Sequence, residues 1–108
     1  MADMNDREKA FENKFARDQE MQFKITARRN RLLGHWAAEK MGLTDVEADN
    51  YAKEVVRADF EEAGDEDVIR KVLGDLTNAE CDVSEADIRA ALENKQVEAR
   101  RHFIESMD

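Results

Sequence analysis

The chain reads as an all-α protein: a four-helix bundle whose first helix is too long for the rest. Composition is the first observation behind this. Proline is absent, glycine occurs only four times in 108 residues, and 40% of the side chains are charged. Nothing in such a chain breaks helices, and long charged side chains favour them. The second observation is that apolar residues recur three and four positions apart in separate stretches, the period of one helical face. The third is that residues suited to starting and stopping helices fall between those stretches.

The first helix is predicted near 5–41, with Gly42 as the residue that stops it. Its second half carries the row Met21, Ile25, Leu32 and Trp36, widened by Phe23, Ala27, Leu33, Ala37 and Met41. Thr44-Asp45-Val46-Glu47 forms a capping box that opens a second helix, near 45–63, ended by Gly64. Its apolar face is Ala48, Tyr51, Ala52, Val55, Val56 and Phe60. Asp65 is placed to cap a third helix near 66–79, with Glu66 and Asp67 favourable in its first turn. Val68, Ile69, Val72, Leu73 and Leu76 line it. Ser84, with Asp87 three residues on, is a weaker start for a fourth helix near 85–105, lined by Ile88, Leu92, Ala99 and Phe103. Short connections between amphipathic helices imply an antiparallel-type bundle. Strict heptads are not sustained, which argues against a coiled-coil rod.

The first helix outruns this bundle. Before Met21 its only large apolar residues are Met4, Phe11 and Phe15, spaced seven and four apart on one narrow stripe. Such a stripe cannot bury enough surface to fold alone, and phenylalanines left exposed are costly unless something covers them. Acid-to-base pairs such as Asp3–Arg7 and Glu20–Lys24 add only ~0.2–0.5 kcal/mol each to helicity. Residues 1–19 are therefore expected to be a mobile, partly helical arm that sets on a partner, and 20–108 the bundle domain. The plainer alternative is an N-terminus with two stray phenylalanines.

Charge narrows the partner. The net charge is −9, but residues 1–42 hold nine basic and seven acidic side chains, a net of +2, while 43–87 hold four and fifteen, a net of −11. An acidic middle disfavours nucleic acid and anionic membrane, so the expected partner surface is protein. No stretch approaches the ~18 apolar residues that span a bilayer, and no secretory leader is visible. A lone Cys81 excludes an internal disulfide and fits a reducing cytoplasm. The chain is expected to be a monomer when free.

Catalysis has no visible seat: there is no phosphate-cradling glycine loop, no nucleophile motif and no zinc-protease motif. Placing Asp59 first in a calcium loop puts Gly64 at the turn position but Arg70 where the bidentate glutamate belongs, so the acidic run is read as solvated and capping. His35 and Glu39 share a helical face, yet no second ligand pair completes a metal site; His102 is distant and read as ordinary. No metal and no required cofactor is expected. The cluster Lys24, Arg28, Arg29 and Arg31, followed by Trp36, is a better candidate. It suits weak binding of ATP or ADP, or of an acidic partner, with Trp36 as a stacking face. The plainer reading, preferred here, makes Trp36 the core anchor of the first helix. The arginines are then its solvated face, or pair with the acidic second and third helices.

Three stretches carry a family resemblance: DREKAFENKFARDQEMQFK at 6–24, ARRNRLLGHWAAEKMG at 27–42 and YAKEVVRADFEEAGDEDVIRKV at 51–72. In order and spacing they resemble the zeta subunit of alphaproteobacterial F-type ATP synthases, the small inhibitor of the F1-ATPase. The resemblance implies a non-enzymatic four-helix bundle with a mobile N-terminal segment that inhibits ATP hydrolysis. That segment would insert as a helix at a catalytic α/β interface, beside the central γ rotor. It also implies a location in the cytoplasm, at the cytoplasmic face of the inner membrane when bound to F1. Phe11, Phe15 and Met4 are then the expected apolar anchors, each buried aromatic worth roughly 1.5–3 kcal/mol before ordering costs. Arg7, Lys9, Lys14 and Arg17 are the expected partners for acidic groups at that interface. The arm contains no histidine, so a proton switch within it near pH ~6–7 is not expected. A nucleotide-sensing bundle and a non-inhibitory F1 assembly factor stand as the alternatives.

Overall fold

The computed structural model describes the backbone of residues 3–58 and 65–105, and the side chains of 19–58 and 65–104. Four helices follow one another: α1 Asp3–Met41, α2 Asp45–Ala58, α3 Glu66–Asn78 and α4 Glu85–Glu105. The four predicted helices and their order are therefore present, and among the described residues there is no strand. The predicted end of α2 at Gly64, its anchor Phe60 and the arm's mobility lie outside what is described.

The α1–α2 and α3–α4 connections close by backbone chemistry. At the end of α1, Gly42 adopts φ 71°, and the Gly42 and Leu43 N–H groups donate to the carbonyls of Glu39 and Ala38 at 3.1 and 3.0 Å. That is a Schellman stop, and glycine is the residue that takes its left-handed position without strain. Glu80 does the same work after α3 at φ 60°, with the Glu80 and Cys81 N–H groups donating to Thr77 and Leu76. Two reciprocal boxes open α2 and α4. The Thr44 N–H donates to Glu47 Oε1 at 2.9 Å while the Glu47 N–H donates to Thr44 Oγ1 at 3.3 Å. The Ser84 N–H donates to Asp87 Oδ2 at 3.0 Å and the Asp87 N–H to Ser84 Oγ at 3.1 Å, a stronger start than the sequence suggested. Asp65 corrects an expectation: its side chain makes no capping hydrogen bond, and it is drawn instead to Arg29 on α1.

The core is aliphatic, as the low aromatic content predicts. Leu33, Val55, Val68, Val72, Leu76 and Ile88 are fully buried and come from all four helices. Helix α1 packs against α2, α4 and α3. Its buried face differs from the row predicted for it. Ile25, Arg29, Asn30, Leu33, Ala37 and Ala38 face inward, whereas Met21, Leu32 and Trp36 are half-buried on the flanks and Phe23 is 58% exposed. The reason is close approach: a Cβ added at Gly34 would stand 2.6 Å from Ala52 Cα on α2, so small residues mark the contact line. Polar ties lock the remaining pairs. Tyr51 O–H donates to Asp75 Oδ2 at 2.8 Å, joining α2 to α3, and burial followed by that carboxylate pushes the phenol pKa far up. Arg89 on α4 forks onto both carboxylate oxygens of Glu66 on α3 at 3.1 and 3.0 Å.

The box carboxylates set an acid limit. Backbone hydrogen bonds hold Glu47 and Asp87 below their usual ionisation ranges, and Arg89 does the same for Glu66. A carboxyl depressed in the folded state stabilises the fold fully above its unfolded pKa, and that contribution vanishes as pH falls through the folded value. The thermal midpoint is therefore expected to hold from about pH 5 upward and to drop below about pH 4. The double variant Glu47→Gln, Asp87→Asn should flatten that acid limb in a melting series, because an amide can keep accepting the box hydrogen bond without titrating.

Candidate functional site

The most distinctive feature is the length of α1. It has 39 residues against 21 in α4, an excess of roughly 27 Å at 1.5 Å per residue. The molecule measures 66 × 29 × 22 Å along its principal axes. The helical backbone runs unbroken from Asp3, so the predicted arm is the continuation of a bundle helix and not a separate strand of chain. The side chains of Met4, Arg7, Lys9, Phe11, Lys14, Phe15 and Arg17 lie outside the described residues.

Within the bundle, the basic cluster on α1 divides three ways. Arg29 turns inward. Only 7% of its side chain is exposed, and its guanidinium pairs with Asp65 at 2.9 Å. It also donates to Asn30 Oδ1 at 3.0 and 2.8 Å and to Gln96 Oε1 of α4 at 3.4 Å. Planar, permanently charged and able to donate in several directions, arginine suits a near-buried junction of three helices. Its expected pairing with the acidic third-helix region is thus realised at the entrance to α3. Lys24 lies further back on α1, exposed and 3.8 Å from Glu20.

Arg28 and Arg31 face α2. With Ala27 they line a groove of about 430 Å³ whose other wall is Lys53, Val56 and Arg57. Arg28 Nε is buried and has no hydrogen-bond partner. Trp36 lines a different groove, against α4, together with Lys40, Val83, Asp87 and Lys95, and Lys40 Nζ stands 5.7 Å from its ring centroid. The structure therefore does not place Trp36 and the two outward arginines around one ligand position. Trp36 is packed half-buried against the core. Lys53 and Arg57 were not singled out from the sequence. The signal was present as a basic pair one helical turn apart inside an otherwise acidic segment.

No group of three or more His, Cys, Asp or Glu side chains is arranged to hold a metal among the described residues. His35 Nε2 lies 3.4 Å from Asp49 Oδ1 across the α1–α2 contact. The Cys81 thiol is free, half-buried, and donates to the Lys40 carbonyl at 3.4 Å. No described helix is long and apolar enough to cross a membrane.

Comparison with known proteins adds three findings. A family model described as ATPase inhibitor subunit zeta matches residues 1–102, covering the overhang and nearly all of the bundle. A search among curated proteins finds no match. A protein solved by solution NMR is similar to this chain at 51% identity and a TM-score of 0.71, over 80% of this chain and 98% of its own.

Proposed function

The chain belongs to the family of ATPase inhibitor subunit zeta, and from that premise we propose that it restrains ATP hydrolysis by the F1 sector of a bacterial F-type ATP synthase as a regulator without chemistry of its own. The N-terminal segment of α1 inserts at a catalytic α/β interface beside the γ rotor and keeps that site from cycling. Phe11, Phe15 and Met4 seat it in an apolar slot. Arg7, Lys9, Lys14 and Arg17 face carboxylates at the rim. The bundle stays outside and limits the depth of entry.

The observation that carries this reading is the overhang of α1. A helix that leaves the bundle while keeping its regular backbone is pre-shaped for a groove between subunits, and pre-shaping lowers the ordering cost of binding. A nucleotide-sensing bundle draws less support, because Trp36 and the outward arginines line different grooves.

The test is a titration of isolated cognate F1 with the full chain and with a chain lacking residues 1–19. The full chain is expected to suppress hydrolysis to a plateau, and the shortened one to leave the rate unchanged while retaining a helical, cooperatively melting bundle. Equal inhibition by both would move the activity to the bundle and overturn the proposal.

A further inference from the structure

Acidic side chains outnumber basic ones in this protein by 26 to 17. A cation left without a carboxylate is therefore not short of available partners. Lys24, Arg29, Arg70, Lys71, Arg89 and Lys95 all find one within 4 Å. Arg28, Arg31, Lys53 and Arg57 do not figure in any ion pair among the described residues, nor do Lys40, Arg100 and Arg101, but the first four all line a single groove between α1 and α2. Among the described residues no carboxylate shares that lining, although Arg57 also borders a neighbouring groove where Glu54 and Asp67 stand. Ala27 and Val56 add apolar surface to the lining. The Arg28 Nε is buried without an acceptor. Four cations gathered at one place repel one another, and an unpartnered buried donor adds to the cost. An anionic occupant relieves the repulsion among the four cations.

We infer that this groove docks an acidic, amphipathic segment of the F1 partner, a second contact that works alongside the arm; the inference rests on the inhibitor reading given above. The spacing selects such an occupant. Arg28 and Arg31 are three apart on α1, and Lys53 and Arg57 four apart on α2, so each wall presents two charges about one helical turn apart. Carboxylates spaced three or four residues apart on a partner helix match those walls, and their apolar neighbours match Ala27 and Val56. Among the described residues, no glycine-rich loop or cluster of free backbone N–H groups lines the groove, as a cradle for a compact phosphate would supply. The strongly negative surface elsewhere turns away extended polyanions while leaving a short acidic segment free to enter. Position agrees as well. Along α1, Arg28 lies eleven residues beyond Arg17, roughly 16 Å, so a partner that grips the arm is already beside the groove.

The test uses the full chain carrying Arg31→Glu and Lys53→Glu, both exposed positions outside the arm, in calorimetric titration against isolated F1. The dissociation constant is expected to rise about tenfold or more at low salt, and the gap to narrow as ionic strength rises. Maximal inhibition at saturation should be unchanged, because the arm is intact. Should the double variant lose its helical signal, Arg31→Gln with Lys53→Gln carries the same readout, with an expected weakening of about threefold. Unchanged affinity in the folded variants overturns the docking groove and leaves the inhibitor reading standing. A wild-type chain that neither binds nor inhibits F1 overturns both. Inorganic phosphate added alone to the full chain addresses the remaining occupant. Saturable amide shifts around Arg28 and Lys53, with F1 affinity insensitive to the variants, would make this a small-anion pocket and defeat the inference.

Discussion

Replacing Phe11 and Phe15 together with alanine is expected to raise the concentration needed for half-inhibition of ATP hydrolysis by roughly ten- to a hundred-and-fifty-fold, with no change in the melting temperature of the bundle. Two aromatic side chains transferred from water to a protein interface contribute roughly 3–6 kcal/mol in total. About half of that is offset by fixing the side chains and the helix that bears them, leaving roughly 1.5–3 kcal/mol, a factor of about ten to a hundred and fifty in affinity. Rim charges contribute far less, since an exposed pair is worth ~0–1 kcal/mol. Leucine at both positions preserves much of the apolar area and should recover most of the lost potency. A folded alanine variant that inhibits as well as the parent would remove the phenylalanines from the binding surface.

The second large effect concerns folding. Gly34→Ala is expected to lower bundle stability by about 2 kcal/mol, and Gly34→Leu to prevent cooperative folding. Helix propensity favours alanine over glycine by ~1 kcal/mol, so the substitution would stabilise an isolated α1. The tertiary contact reverses that sign. The new Cβ would meet Ala52 Cα at 2.6 Å, Ala52 Cβ at 3.2 Å and Val55 Cγ2 at 3.3 Å. The nearest of these is backbone, so relief requires α1 and α2 to move apart by about an ångström and loosens the contacts of Leu33, Ala37 and Val55 around them. For a domain of this size the loss corresponds to a fall of roughly 8–16 °C in the thermal midpoint, measurable by circular dichroism. A rise instead would mean that propensity outweighs the contact.

Much of the architecture was legible because the local signals agreed with one another. Gly42 marked the end of α1 and Thr44–Glu47 the start of α2, and both do in the structure what their chemistry suggests. The buried face of α1 was harder to read. Large apolar residues pointed to Met21, Leu32 and Trp36, but the face that meets the other helices is built from Gly34, Ala37 and Ala38, with Arg29 and Asn30 inside it. A pattern search weights bulk, whereas close helix contact selects smallness, and a buried arginine looks solvated until its partners are located. Asp65 was misread for the same reason: a good cap by position, it is captured by a guanidinium that lies 36 residues earlier in the chain. Glu80 gave no warning as a helix stop, because its left-handed backbone is imposed by the turn after α3. Of the candidate site, the stripe on the arm is a sequence expectation, its side chains lying outside the described residues. The groove could not be read from the sequence, since Lys53 and Arg57 join Arg28 and Arg31 only once α2 folds back on α1.

The Arg29 junction also has a mechanical meaning. It ties the middle of α1 to Asp65 and to Gln96 of α4. From Arg29 to Asp3 the same helix extends a further 26 residues, roughly 39 Å. A tilt of about 10° at the junction sweeps the far end through about 7 Å, more than a full helical turn. Ile25, buried one turn nearer the N-terminus, shares that anchoring, so a small change of angle where α1 leaves these contacts is magnified along the rest of the helix.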